Sequence, residues 1–338
     1  MPVRPERHIA RWDLDKTYLR TEFDTMRDLV KTALERADEK RTNPGAASLL
    51  REMRRANIAV HILSGSPEQM RRRLEDKLRL DGIAWDSFTL KPNLRNMFKL
   101  RFRALKDQLG YKLPALITSR LGPRDPSLAD ATETLFGDDA EADAFVYSLY
   151  GDVMAGNVSA DELAVVCVKG RMYEDVAEEL VASVRRITPS SVVDRVLIHL
   201  EGQTPPEDFR VYGPRVVPFY NYLQAAFIVF EDGRMPAEGV LRVALELCTE
   251  HRFDGPRLVR SYADLIRRGH LRGTGTDEIT AAFEEWVSRE RVFAEADLKA
   301  LVKELPKEAA RAKEQEPRAA TPDYTHLVLA HNRRRKKH

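Results

Sequence analysis

The chain has 338 residues, 43% of them hydrophobic and 32% charged, a length that suggests two domains and a charge content above the about 25% of ordinary globular chains. Lys and Arg number 55 against 53 Asp and Glu, and the resulting net charge of +2 argues against a wholesale nucleic-acid coat, which needs a clustered basic excess. The two cysteines, Cys167 and Cys248, are far apart in apolar runs, which excludes a disulfide framework or a cysteine zinc site and predicts buried free thiols in a reducing compartment.

In chain order, "HIARW" (8–12) is a short strand interrupted by Arg11, followed at once by "DLDKT" with Asp13, Asp15 and Thr17. The spacing of Met26, Leu29, Val30 and Leu34 predicts a helix after it. "NPGAASLLREMRRAN" is a second helix, with Asn43 and Pro44 as start signals. "NIAVHIL" (57–63) is the clearest strand of the first half. It ends in "SGSP", and "PEQMRRRLEDKLRL" reads as the next helix. "SFTLKPN" (87–93) is a further strand, residues 96–120 are lysine-rich and helical, and "TETLF" (132–136) is a strand running into "GDDAEADAFVYSLYGD". Strands alternating with helices predict a parallel sheet covered on both faces.

Residues 156–187 stay open between a last strand and a helix at "LAVVCVKG". From about 190, "TPSSVVDRVLIHL", "PAEGVLRVALELCTEH", "GPRLVRSYADLIRRG", "TDEITAAFEEWVSRE" and "FAEADLKALVKEL" all show helical spacing. "VVPFYNYLQAAFIVF" (216–230), with Pro218, Asn221 and Gln224, reads as a buried core helix too short to cross a bilayer. The expectation is an α/β domain over 1–155, an all-helical domain over 188–305, and from Pro306 a linker ending in the basic tail "HNRRRKKH". The N-terminus shows no apolar run of the signal-peptide kind, so the protein is expected to be cytoplasmic.

In parallel sheets reactive groups gather at the carboxyl ends of the strands. Asp13, Asp15 and Thr17, then Ser64, then Asp138, Asp139 and Asp143 each directly follow a strand, so these groups are expected to meet at one edge. Alone, "DLDKT" is an ordinary surface turn. Together the acids suit a hard divalent cation, which takes carboxylate and phosphate oxygens. One aspartate can attack phosphorus. A second, two residues on, projects to the same side and can protonate the leaving group. Ser64, at a helix start with free amides, suits phosphate, and a lysine would add positive charge.

The order "DLDKT", "SGSP", a lysine and "GDDAEAD" resembles the four motifs of haloacid dehalogenase (HAD) superfamily phosphatases. "PGAASLLREM", "SGSPEQMRRRLEDKL" and "FTLKPN" resemble the branch that includes the actin-patch-associated phosphatidate phosphatase catalytic domain. The resemblance covers roughly residues 8 to 155 and leaves the second half unassigned. It implies an HAD-like Rossmannoid sheet and a phosphatase that passes through an aspartyl-phosphate. Asp13 would be the nucleophile, Asp15 the general acid and base, and Thr17 the residue that orients the motif loop. Ser64 with Gly65 would bind phosphate. Lys112 would be the motif-three lysine, with Lys91, Lys99 and Lys106 as rivals. Mg2+ would be held by Asp13, Asp15, Asp138 and Asp143, with Asp139 as an alternative. Lys16 stands where that branch usually carries another aspartate.

The absence of an obvious large insertion predicts no large cap, hence an open site for a bulky phosphorylated substrate such as a phospholipid. Two other functions fit the residues: a silent scaffold of the same fold whose helical half binds a partner, and a phosphotransferase using the same site. His61 reads as a sheet-face histidine and "FYNYLQAAF" as core. Arg71, Arg72 and Arg73 read as a solvated face with a minor candidacy for substrate contact. The basic tail offers at most weak attachment to an anionic surface.

Overall fold

The computed structural model describes residues 7–20, 41–91, 105–122, 128–290, 296–312 and 321–334. The helix expected after Thr17, Lys99, the Lys106 side chain and the last four residues of the basic tail lie outside the described residues. So do residues 92–104, part of the stretch between Ser64 and Lys112 on which the expectation of no large cap rests.

Every residue of β1 (His8–Trp12) is buried. Arg11 does not break the strand, because Glu133 takes its guanidinium in two hydrogen bonds of 2.7 Å. Strands β2 (Ala59–Pro67), β3 (Ser87–Lys91) and β4 (Thr132–Asp138) follow as expected. Two more complete the sheet, β5 (Val193–His199) and β6 (Val216–Phe219). All six are parallel, in the order β3-β2-β1-β4-β5-β6. The chain winds outward from β1 in one direction and from β4 in the other, so the crevice between their carboxyl ends is the topological switch point, where α/β sheets bind ligands.

The helices, numbered in chain order among the described residues, are α1 (Ala46–Arg55), α2 (Arg71–Leu80), α3 (Leu105–Leu109), α4 (Lys112–Leu121), α5 (Asp143–Met154), α6 (Ala160–Lys169) and α7 (Glu174–Val184). After the sheet come α8 (Tyr222–Glu231), α9 (Ala237–Thr249), α10 (Gly255–Arg267), α11 (Thr276–Glu290), α12 (Ala296–Arg311) and α13 (Tyr324–Arg334). Ala10, Trp12, Val60, Ile62, Phe136 and Leu197 form one sheet face, buried with α1, α2 and α8 to α12. Leu63, Leu135, Val196 and Ile198 form the other, buried with α3 to α7 and α13. Period-2 alternation assigns each strand residue to its face.

The expected all-helical region 188–305 fails in two places. "TPSSVVDRVLIHL" holds β5, not a helix. A strand covered on both faces loses its alternation, and the run Val196–Ile198 with Val192 and Val193 falls by coincidence on helical spacing. "VVPF", expected to open a helix, is β6, and Pro218 is tolerated there because β6 is an edge strand. Helix α8 then starts at an Asn221 cap, whose side chain accepts from the Gln224 amide. The open stretch "LAVVCVKG" is helix α6, entered through a Ser159–Glu162 capping box.

The linker expected from Pro306 is also corrected. Helix α12 continues through Pro306 to Arg311, and α13 docks on the body with Tyr324 and Val328 buried and the Tyr324 hydroxyl donating to Asp152. Cys167 and Cys248 are buried free thiols. Among the described residues no helix is long and apolar enough to cross a membrane.

Candidate active site

Strand β1 delivers Asp13 to the switch point. Trp12 stacks on Phe136 with ring centroids 4.0 Å apart, and the Asp13 amide donates to the Phe136 carbonyl at 3.0 Å. The following turn places Lys16 in the left-handed region at φ 60, uncommon for a residue with a side chain. Two side chains hold that backbone by hydrogen bonds. The Asn43 amide donates to the carbonyls of Lys16 and Thr17 at 2.9 and 2.8 Å, the Tyr222 hydroxyl donates to the Thr17 carbonyl, and the buried His199 ring stands near the Lys16 backbone. Burial lowers the His199 pKa to about 4, so the ring is neutral at pH 7.

Strand β4 delivers Asp138, whose Oδ1 accepts the amides of Ala140 and Glu141 at 2.7 and 3.0 Å. Thr17 Oγ1 reaches Asp138 Oδ2 at 3.5 Å. Asp143 opens α5 and turns back so that Oδ2 accepts the Asp138 amide at 3.2 Å. Glycine is required at 137, where an added Cβ would lie 2.5 Å from the Asp143 side chain. Lys112, the first residue of α4 and fully buried, sets its Nζ 2.5 Å from Asp143, 2.9 Å from Glu141 and 3.2 Å from Asp13. Burial opposes its charge, yet the three carboxylates outweigh burial and hold its pKa well above the usual lysine range.

Asp13, Asp138 and Asp143 each offer a carboxylate oxygen within 4.8 Å of the other two, all buried, a group that could hold a metal ion. Neither oxygen of Asp13 accepts a hydrogen bond, although buried polar atoms are nearly always bonded. Burial first, and then the crowding of like charge, push the Asp13 and Asp138 carboxyls well up and Asp143 to about 6. Three hard oxygen donors with two unused acceptor atoms suit a divalent cation.

Asp15 is half-buried and lies outside this cluster, its Oδ2 accepting the hydroxyls of Ser64 and Ser66 near the end of β2 at 3.0 and 2.9 Å. Burial raises its pKa and the two hydroxyls partly offset the rise. Ser64 Oγ also accepts the Ser66 amide at 3.0 Å. At Gly65 an added Cβ would meet nothing within 4 Å, so the backbone there is open to a ligand. Asp139 points elsewhere, accepting the Gly202 and Thr204 amides at 2.6 and 2.9 Å. The switch-point edge thus gathers Asp13, Asp138, Asp143 and Lys112, with Asp15, Thr17 and Ser64 around them.

Among the rival lysines, Lys91 ends β3 half-buried, with its pKa lowered by burial. Arg71 is engaged by Glu68, Glu75 and the Phe88 carbonyl, while Arg72 and Arg73 are exposed. His61 is half-buried and held neutral, its pKa lowered to about 4 by burial. With Ser87, Thr89, Tyr111 and Thr118 it lines a cleft of about 800 Å3 whose lining includes none of the three clustered aspartates.

Sequence reasoning missed Ser66, Asn43 as a backbone holder, Tyr222, His199 and Glu141. Ser66 and Glu141 sit inside quoted motifs and Asn43 at a helix-start signal, so each had a local cue. Tyr222 and His199 had none, because their segments were read as continuous helices.

No family model, no curated protein and no solved structure matches the chain.

Proposed function

We propose that the protein is a Mg2+-dependent phosphomonoester hydrolase of the HAD type. The observation that carries the reading is the Asp13 carboxylate, buried at the switch point with both oxygens unbonded, 3.2 Å from the Lys112 ammonium and grouped with Asp138 and Asp143. The motif order of the sequence supports it independently.

Asp13, Asp138 and Asp143 would hold the ion, which when bound neutralises charge on the phosphoryl oxygens. The chain's own residues account for the rest. An Asp13 oxygen attacks phosphorus; the bond to the leaving oxygen breaks, and Asp15 gives that oxygen its proton. Lys112 and the open backbone at Gly65 donate toward the equatorial oxygens. Water, deprotonated by Asp15, then attacks phosphorus, the bond to Asp13 breaks, and phosphate leaves with both acids restored. The hydroxyls of Ser64 and Ser66 hold Asp15 in place for both proton transfers.

A silent scaffold is the weaker reading, because it gives no reason to keep an unsatisfied carboxylate in the core. Release of inorganic phosphate from an aryl phosphate, with and without Mg2+, tests the proposal. Turnover should need Mg2+, and Asp13→Asn should lower it at least about 10³-fold, as loss of a nucleophile does. No turnover together with no Mg2+ binding by the native chain would refute the reading.

A further inference from the structure

Lys112 Nζ has three protons to donate and is ringed by three carboxylates. It donates to Asp143 at 2.5 Å and to Glu141 at 2.9 Å, with Asp13 at 3.2 Å. A phosphoryl oxygen placed beside Asp13 can take a full share of that ammonium only if one carboxylate gives way. Asp13 and Asp143 cannot: both side chains are wholly buried, Asp13 follows directly from a central strand, and Asp143 is tied to the Asp138 amide.

Glu141 differs. Its side chain is 13% exposed, it lies in the turn between β4 and α5, and its other side-chain partner is a neutral amide, Gln108 Nε2 at 2.7 Å. Its backbone amide, which caps Asp138, stays in place whatever the carboxylate does.

We propose that Glu141 is a positioning residue that acts as an internal anion: its carboxylate holds Lys112 in the empty site, yields to the phosphoryl group of the substrate, and returns to expel inorganic phosphate. This rests on the phosphatase reading of the site, and it concerns which anion Lys112 serves. The consequence is that free phosphate binds weakly, since it must displace Glu141 with no further contacts to compensate, whereas an ester brings the rest of its structure to the site.

The test is calorimetric titration of the full-length chain with inorganic phosphate in the presence of Mg2+, alongside steady-state hydrolysis of an aryl phosphate. Glu141→Gln and Glu141→Ala should bind phosphate about tenfold tighter or more than the native chain, a gain of about 1.4 kcal/mol. KM and the inhibition constant for phosphate should fall together, and kcat should not rise. Glu141→Asp, which keeps the charge but withdraws it from Nζ, should show a partial gain. A purely structural role predicts the opposite, because a loosened site loses affinity.

Unchanged or weaker phosphate binding in Glu141→Gln and Glu141→Ala overturns the proposal. A gain in Glu141→Gln with none in Glu141→Asp also overturns it, since charge would then act without the contact to Lys112. The two readings separate cleanly. Tighter phosphate binding in variants of a chain that never turns over would keep the Glu141 assignment and sink the phosphatase, and turnover with unaltered affinity would do the reverse.

Discussion

Asp13 carries a cost that the fold has not relieved. Five carboxyl groups, those of Asp13, Asp15, Asp138, Glu141 and Asp143, bear on one ammonium, Lys112, and two buried Asp13 oxygens accept no hydrogen bond. In a chelator, Asp13→Asn should therefore stabilise the protein, by about 1–3 kcal/mol, the usual cost of an unsatisfied buried group. The sign with pH follows from the raised carboxyls. Their folded pKa values lie above the unfolded value of 3.8, so the native state binds more protons, and stability present in acid is lost as pH rises from about 4 through about 6 and above. The advantage of Asp13→Asn should be small at pH 4.5 and large at pH 8. On the proposed reading Mg2+ would bind only the native state and should reverse the order by mass action. Thermal midpoints at both pH values, in chelator and in Mg2+, decide this; a variant less stable than the native chain at pH 8 in chelator would contradict it.

At the scale of elements, the turn after β1 is built by parts distant in sequence. Asn43, just before α1, and Tyr222 at the start of α8 both bond its carbonyls. Tyr222→Phe removes one donor while Asn43 still satisfies the Thr17 carbonyl, so the stability loss should be about 1 kcal/mol. The freer turn should misplace Asp13 and Asp15 relative to each other, and kcat should fall about tenfold with KM little changed. An unaltered kcat would mean that the turn holds itself. The same arrangement explains what the sequence could disclose. Asp13, Ser64 and Asp138 were legible because each lies at the carboxyl end of a strand and strand ends of a parallel sheet converge. Whether Asp139 or Asp143 joins the triad was not legible, since only the return of α5 onto the Asp138 amide separates them. Strands β5 and β6 were hidden because burial on both faces erases alternation. The Glu141 contact depends on how α4 meets the β4–α5 turn, which no spacing records.

At the scale of the molecule, the sheet does not stop where the motifs stop. Strand β5 pairs with β4 from Glu133 to Asp138, so the strand that delivers Asp138 has a neighbour contributed by the second half of the chain. Trp12 lies between Phe136 and Tyr222, with centroids at 4.0 and 5.9 Å, and the core on that face is closed by Phe219, Leu223, Phe227 and residues of α9, α10 and α12. A chain ending at residue 187 would bare β4 as an edge with unpaired main-chain groups. It would also uncover the Trp12–Phe136 stack where Tyr222 lies against it, at about 1.5–3 kcal/mol for each large apolar side chain. Two such exposures, added to the bared edge, are a large fraction of the stability of an ordinary domain, about 5–15 kcal/mol. Residues 1–187 alone should accordingly give no cooperative unfolding transition and no phosphate release, while the full chain keeps both. Circular dichroism melts of the two chains would settle it, and a soluble fragment of 187 residues that melts cooperatively and turns over aryl phosphate would show that the first half is self-sufficient and that the C-terminal helices act on the site without building it.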